Sequence, residues 1–186
     1  MITDTTRTRV AEAIDGLPLR TELITAGDRT GPAFALAQTL ELAASPAEVW
    51  AHLTDPALLA RWSPIVPDRP LDSVGAAESR ENPGDDPVDA TVITADAPHH
   101  LSHRWGGGLV TWTIVERPDG CTLGLGQDFA TDAEAAMTAA GWHVCFAVLS
   151  LRLRGVDVER VVGADAMEVG WEGLSAQYSA GSPRSD

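Results

Sequence analysis

The stretch Ser45-Pro46-Ala47-Glu48-Val49-Trp50-Ala51-His52-Leu53-Thr54-Asp55-Pro56-Ala57-Leu58-Leu59-Ala60-Arg61-Trp62 decides how this chain is read. Ser45 and Glu48 stand three apart with proline at the first helical position, the pattern of a capping box, and Val49, Trp50 and Leu53 follow as the apolar side of a short helix. Asp55-Pro56 restarts the chain in the same way. Leu58, Leu59 and Trp62 then predict a second short helix that ends before Pro64.

Upstream of this pair, Phe34, Leu36, Gln38, Leu40 and Leu42 alternate with Ala35, Ala37, Thr39 and Glu41, and a period of two marks a strand with one apolar face. Residues 1–32 read as an N-terminal extension whose one helical pattern is Val10, Ile14 and Leu17, so order is expected from Phe34. Downstream the chain is strand-rich. A weak strand over 75–81, a turn at Asn82-Pro83-Gly84-Asp85-Asp86-Pro87, a strand over 88–95 and a turn at Asp96-Ala97-Pro98 precede a strand over 100–105. Gly106-Gly107-Gly108 then loops into a strand over 109–115, where Val110, Trp112 and Ile114 share one face, and Pro118-Asp119-Gly120 turns into a strand over 121–129. Successive hairpins imply an antiparallel sheet.

Thr131-Asp132-Ala133-Glu134 repeats the capping box and opens a long helix that Gly155 can close. Its main stripe is Trp142, Cys145, Phe146, Leu149 and Leu153, but Val144, Ala147, Val148 and Leu151 spread apolar character around the axis, which predicts cover on more than one side. A last helix over 165–180 carries Met167, Trp171, Leu174 and Tyr178 at i, i+4, i+7 and i+11, and residues 181–186 read as a disordered tail. The plan is α+β: a single domain over 33–180, including that extra C-terminal helix.

Composition narrows the function. Apolar residues make up 44% and charged residues 22%, so the chain should fold as a globular domain. Thirteen basic residues, every one an arginine, stand against 27 acidic ones, for a net charge of −14. A field of that sign disfavours nucleic acid and anionic membrane surfaces as partners, and a chain without lysine cannot build a Walker-type phosphate loop or a Schiff-base site. Cys121 and Cys145 form no C-x-x-C pair, so neither a disulfide framework nor structural zinc is implied, and a reducing cytoplasm is the default. Residues 1–9 lack the apolar core of an export signal, and the apolar stretch around residues 146–151 is far short of the roughly 20 residues that span a bilayer.

The segment Glu48-Val49-Trp50-Ala51-His52-Leu53-Thr54-Asp55-Pro56 with Leu59-Ala60-Arg61-Trp62 resembles the "V-W-x-x-L-T-D-P-x-x-L-x-x-W" signature of the START-related helix-grip superfamily, SRPBCC. More narrowly, the chain is similar to bacterial homologues of the activator of the heat-shock protein ATPase: Pro98-His99-His100-Leu101-Ser102-His103-Arg104-Trp105 resembles their "P-x-x-L-x-x-x-W" strand. Gly141-Trp142-His143-Val144-Cys145 resembles the start of their long helix, and Gly170-Trp171-Glu172 a tail segment. The resemblance implies a helix-grip fold, in which a curved antiparallel sheet wraps a long C-terminal helix and two short helices follow the first strand, with a cavity between sheet and helix. It also implies a hydrophobic small-molecule ligand or, as alternatives, a cyclase or isomerase acting on a polyketide-like or aromatic substrate, or a chaperone-associated or self-associating domain. Where many relatives carry a histidine in an "L-x-L-x-H" run, this chain has Leu123-Gly124-Leu125-Gly126-Gln127, and the two glycines leave one side of that strand bare.

The candidate ligand contacts are Trp62, His103, Trp105, Trp112, Gln127, Trp142 and Phe146. Aromatic rings offer a ligand a large area, although any one tryptophan is more often simply core. Period two puts Leu101, His103 and Trp105 on one face, so His103 points inward with the tryptophan, either to meet a ligand or to bond a backbone carbonyl. In the enzyme reading His103, Gln127 and Glu78 orient the substrate, but no acid–base pair of fixed geometry is legible. His100 and His103 fall on opposite faces of a strand, which excludes a metal site there, and no cofactor is implied. His143 and Cys145, two apart on a helix, do not face each other, so Cys145 reads as a small core hydrophobe. Glu78, Glu81, Asp85, Asp86 and Asp89 read as a solvated rim in which Glu78 and Asp89 sit on adjoining strands.

Overall fold

The computed structural model describes residues 1–25 and 34–181. Its two capped helices follow the sequence signals closely. Ser45 Oγ accepts from the Glu48 N–H to start α2 (Pro46–Thr54), and Asp55 accepts from the Ala57 N–H to start α3 (Pro56–Leu59). The full reciprocal box forms at Thr131 and Glu134, each side chain bonding the other's backbone N–H at 3.2 Å, and opens the 22-residue α4 (Asp132–Leu153).

Order begins well before Phe34. The pattern Val10, Ile14 is the buried side of a helix, α1 (Asp4–Gly16), and β1 (Leu19–Thr25) pairs along its whole length with residues 34–40 of β2 (Phe34–Leu42). Residues expected as an extension are therefore built into the domain, because α4 offers α1 an apolar outer side to cover. Alternation on β2 is as predicted: Leu36, Gln38, Leu40 and Leu42 are buried.

A second small sheet separates from the main one. The strand expected over 88–95 breaks into β5 (Val88–Asp89) and β6 (Val92–Asp96), since the Asp89 carboxylate turns the chain by accepting from the Thr91 N–H at 2.9 Å. Only β4 (Glu78–Arg80) survives of the weak strand over 75–81, and it lies between β3 (Val66–Pro67) and β5. The main sheet is six-stranded and antiparallel, in the order β1-β2-β9-β8-β7-β6, with β7 (His100–Trp105), β8 (Gly108–Arg117) and β9 (Gly120–Phe129) as successive hairpins. Gly124 is not bare: Thr113 lies opposite it on β8, and a Cβ on Gly124 would collide with Thr113 Oγ1.

Helix α4 packs on β1, β2 and β9 with one side, and α1 and the C-terminal segment cover the others. The helix is long and apolar enough to cross a membrane by length and composition, but 67% of its most apolar stretch is buried inside the domain. The C-terminal helix expected over 165–180 is interrupted. A 3-10 helix (Gly163–Val169) ends at Gly170, whose φ of +96° breaks the turn, and α5 (Trp171–Gly181) starts anew. The break leaves Met167 exposed while Leu174 is buried. The expected tail lies, beyond Gly181, outside the described residues.

Candidate functional site

Between the sheet and α4 sits a cluster of rings. Trp62 follows α3, Trp112 points in from β8, and Trp142 and Phe146 stand one turn apart on α4; all six pairwise centroid separations lie between 5.3 and 6.4 Å. Each of the three indole N–H groups is satisfied within the core. Trp62 Nε1 donates to the His52 carbonyl at 3.0 Å, Trp112 Nε1 to His103 Nε2 at 3.2 Å, and Trp142 Nε1 to Gln127 Oε1 at 3.1 Å. The space between sheet and long helix, where the sequence predicts a ligand among these side chains, is occupied by the side chains themselves.

His103 does point inward, as the strand period requires, and is 1% exposed. Its Nδ1 lies 2.8 Å from the Arg104 carbonyl, so both ring nitrogens are engaged, and burial lowers its pKa below the ordinary histidine value. Gln127 is held by Trp142 and borders a shallow depression with Trp105, Gly108 and Phe129. The pair invoked for cyclase chemistry is thus committed to core hydrogen bonds. Glu78 lies opposite Asp89 as predicted, but both are exposed on the small sheet.

An apolar, partly open space lies beside the ring cluster. A cavity of about 310 Å³ opens along one face of α4, lined there by Thr138, Gly141, Trp142 and Cys145 at i, i+3, i+4 and i+7. Facing them are Val161, Val162, Ala166, Met167 and Trp171 of the C-terminal segment, with Trp105 at the end of β7 and Pro64 and Glu81 closing the rim. Of the seven expected contacts, Trp105 and Trp142 line this cavity; Trp62, Trp112, Phe146, His103 and Gln127 do not. Trp105 packs on Trp142 at 5.6 Å. Gly141 leaves this part of the wall without a side chain; a Cβ there would rest in ordinary contact with Trp171 Nε1, at 3.9 Å.

Cys145 is the one thiol in the lining, and burial pushes its pKa up to about 12, so at neutral pH it is an uncharged thiol with little nucleophilic character. Glu81 is the one charged side chain in the lining. The other members of its acidic group, Glu78, Asp85, Asp86 and Asp89, are exposed, as a solvated rim should be, whereas Glu81 is half-buried. Trp171 and Glu81 were not singled out as site residues from sequence. The tryptophan heading the last helix was the available signal; nothing local distinguishes Glu81 from its acidic neighbours.

His143 is not on an open side of α4. Its Nε2 donates to the Ile14 carbonyl at 3.3 Å and its Nδ1 accepts from the Tyr178 hydroxyl at 2.8 Å, joining α1 and α5 across the helix. Tyr178 in turn meets Thr21, and Gln38 donates to both Thr21 and the Ala139 carbonyl. Among the described residues no group of three His, Cys, Asp or Glu side chains is arranged to hold a metal ion.

Residues 33–177 match the family described as polyketide cyclase / dehydrase and lipid transport. No curated protein matches the sequence. Among solved structures, CalU16 from Micromonospora echinospora superposes with a TM-score of 0.66 at 20% identity, over 88% of this chain and 97% of that one. A Bordetella parapertussis protein superposes at 0.60 with 20% identity, over 90% and 96% of the two chains. DynU16, of the dynemicin biosynthetic locus, gives 0.57 at 24% identity, over 64% of this chain and 47% of its own. These likenesses establish the helix-grip architecture; they do not bear on the narrower similarity to chaperone activators.

Proposed function

Because the chain belongs to the polyketide cyclase / dehydrase and lipid transport family, within the START-related helix-grip superfamily, we propose that it holds an apolar, ring-bearing small molecule in the cavity flanking α4. One observation carries this reading. The indoles of Trp62, Trp112 and Trp142 each donate to a core acceptor, whereas those of Trp105 and Trp171, both half-exposed at the cavity, donate to no protein group among the described residues. The N–H groups of the first three are committed to core acceptors, although the ring of Trp142 also lines the cavity. The other two keep a flat apolar face and a free N–H available to a guest, which is how small-molecule sites combine area with a few orienting polar groups.

A volume of about 310 Å³ suits a ligand of two or three fused rings. A biosynthetic setting is in keeping with DynU16's locus, and a reducing cytoplasm with two free, buried cysteines. Titration with neutral fused-ring probes such as 2-naphthol, read by tryptophan fluorescence and melting temperature, tests the proposal. Saturable quenching with a rise in melting temperature is expected, and both should be lost in Trp171→Ala. A flat response to every neutral probe would overturn it.

A further inference from the structure

We propose that the ligand of this cavity is a cation: a protonated amine carried on an apolar, ring-bearing body. The inference rests on the cavity being the binding site and adds the charge of its occupant. Three of the protein's six tryptophans, Trp105, Trp142 and Trp171, line one small space, and indole is the aromatic group that attracts a cation most strongly over its face. Glu81 shares that lining as its one charged side chain, and no hydrogen bond or ion pair holds its carboxylate among the described residues. The carboxylate sits against Gly163 on the opposite wall, where a Cβ would come within 3.2 Å of Glu81 Oε1.

The neighbouring charges leave the carboxylate available. Arg160 is the nearby cation, but its guanidinium donates to the main-chain carbonyls of Ser63 at 2.8 Å and Glu81 at 2.7 Å and forms no ion pair with the Glu81 carboxylate. Cys145, with its pKa pushed up to about 12, adds no charge of its own. A fatty acid or other anion entering here would meet the unpaired Glu81 carboxylate, with no lining arginine to neutralise it. A net charge of −14 works in the same direction at long range, drawing cations toward the surface and repelling anions.

The test uses three probes of one shape: 2-naphthylmethylamine, 2-naphthylmethanol and 2-naphthoate, titrated calorimetrically into the full chain and into E81Q. The amine should bind about tenfold more tightly than the alcohol, with the naphthoate weakest. E81Q should erase the amine's advantage over the alcohol. Added salt should shrink the amine-to-alcohol ratio in the wild-type protein, because the rim carboxylate is only half-buried and open to screening. Should E81Q melt early, the salt series on the wild-type protein decides by itself. Equal binding of amine and alcohol, or an amine preference insensitive to both E81Q and salt, would overturn the charge assignment while leaving an apolar binding site intact. Failure of all three probes to bind would defeat both.

Discussion

Trp112 and His103 fix each other's state. An indole nitrogen can only donate, so the 3.2 Å bond makes His103 Nε2 an acceptor, and the ring proton must lie on Nδ1, where the Arg104 carbonyl accepts it at 2.8 Å. Protonating the ring would set N–H against N–H inside the aromatic core. Burial and this geometry both favour the neutral imidazole, so the folded-state pKa falls below the ordinary 6.5. Below that value the unfolded chain binds a proton that the folded chain refuses, so unfolding free energy falls as pH drops through about 6.5 toward the lower folded pKa. His143 is shifted the same way by burial. Urea denaturation across pH 5 to 8 should show this loss on acidification, and His103→Gln should flatten part of it. A stability flat over that range would contradict the assignment.

Gln127 should behave as a structural amide. Gln127→Leu removes the acceptor of the Trp142 N–H, a buried donor in the ring cluster, and should cost about 1 to 3 kcal/mol in chemical denaturation. Ligand affinity should move little, because Gln127 does not line the cavity.

Gly141 separates stability from binding. A glycine inside a helix costs about 1 kcal/mol relative to residues with strong helix propensity, and here the missing side chain leaves the cavity wall open. Gly141→Leu should fill that space, hold or raise the melting temperature, and abolish the thermal shift produced by naphthyl probes. Loss of binding together with early melting would point instead to a clash with Trp171.

The N-terminal helix should prove integral to the domain. Ile2, Val10 and Ile14 are buried, and burial of one such side chain is worth about 1.5 to 3 kcal/mol. Arg7 also pairs with Glu168 at 2.5 Å. Removing residues 1–17 should lower stability by several kcal/mol and expose His143 to solvent, seen as a rise in its NMR-titrated pKa. An unchanged melting temperature would mean the segment is a dispensable extension after all.

What the sequence made legible was local. Capping at Ser45, Asp55 and Thr131, the hairpin turns, and the inward side of β7 all follow from interactions within a few residues, and each appears in the fold. The rest depends on which surfaces meet. Val10 and Ile14 look weak in isolation because their partner is the far side of α4, and the last helix reads as continuous because Met167, Trp171, Leu174 and Tyr178 keep helical spacing across Gly170, whose positive φ breaks it. The tryptophans posed the same difficulty. Periodicity placed Trp112 and Trp142 inside, but it could not tell that Trp62 and Phe146 complete a filled cluster while Trp105 and Trp171 border a void.

The strand order carries a consequence for how the molecule comes into being. Since β2 finds its second neighbour in β9, and α1 comes to rest on α4, these two elements wait for most of the domain before those partners exist. Contacts so distant along the chain slow folding, and until α4 leaves the ribosome the apolar side of β2 has nothing of its own to cover it. Birth of this domain on the ribosome is therefore an interval of exposure that ends abruptly, with the arrival of its last third.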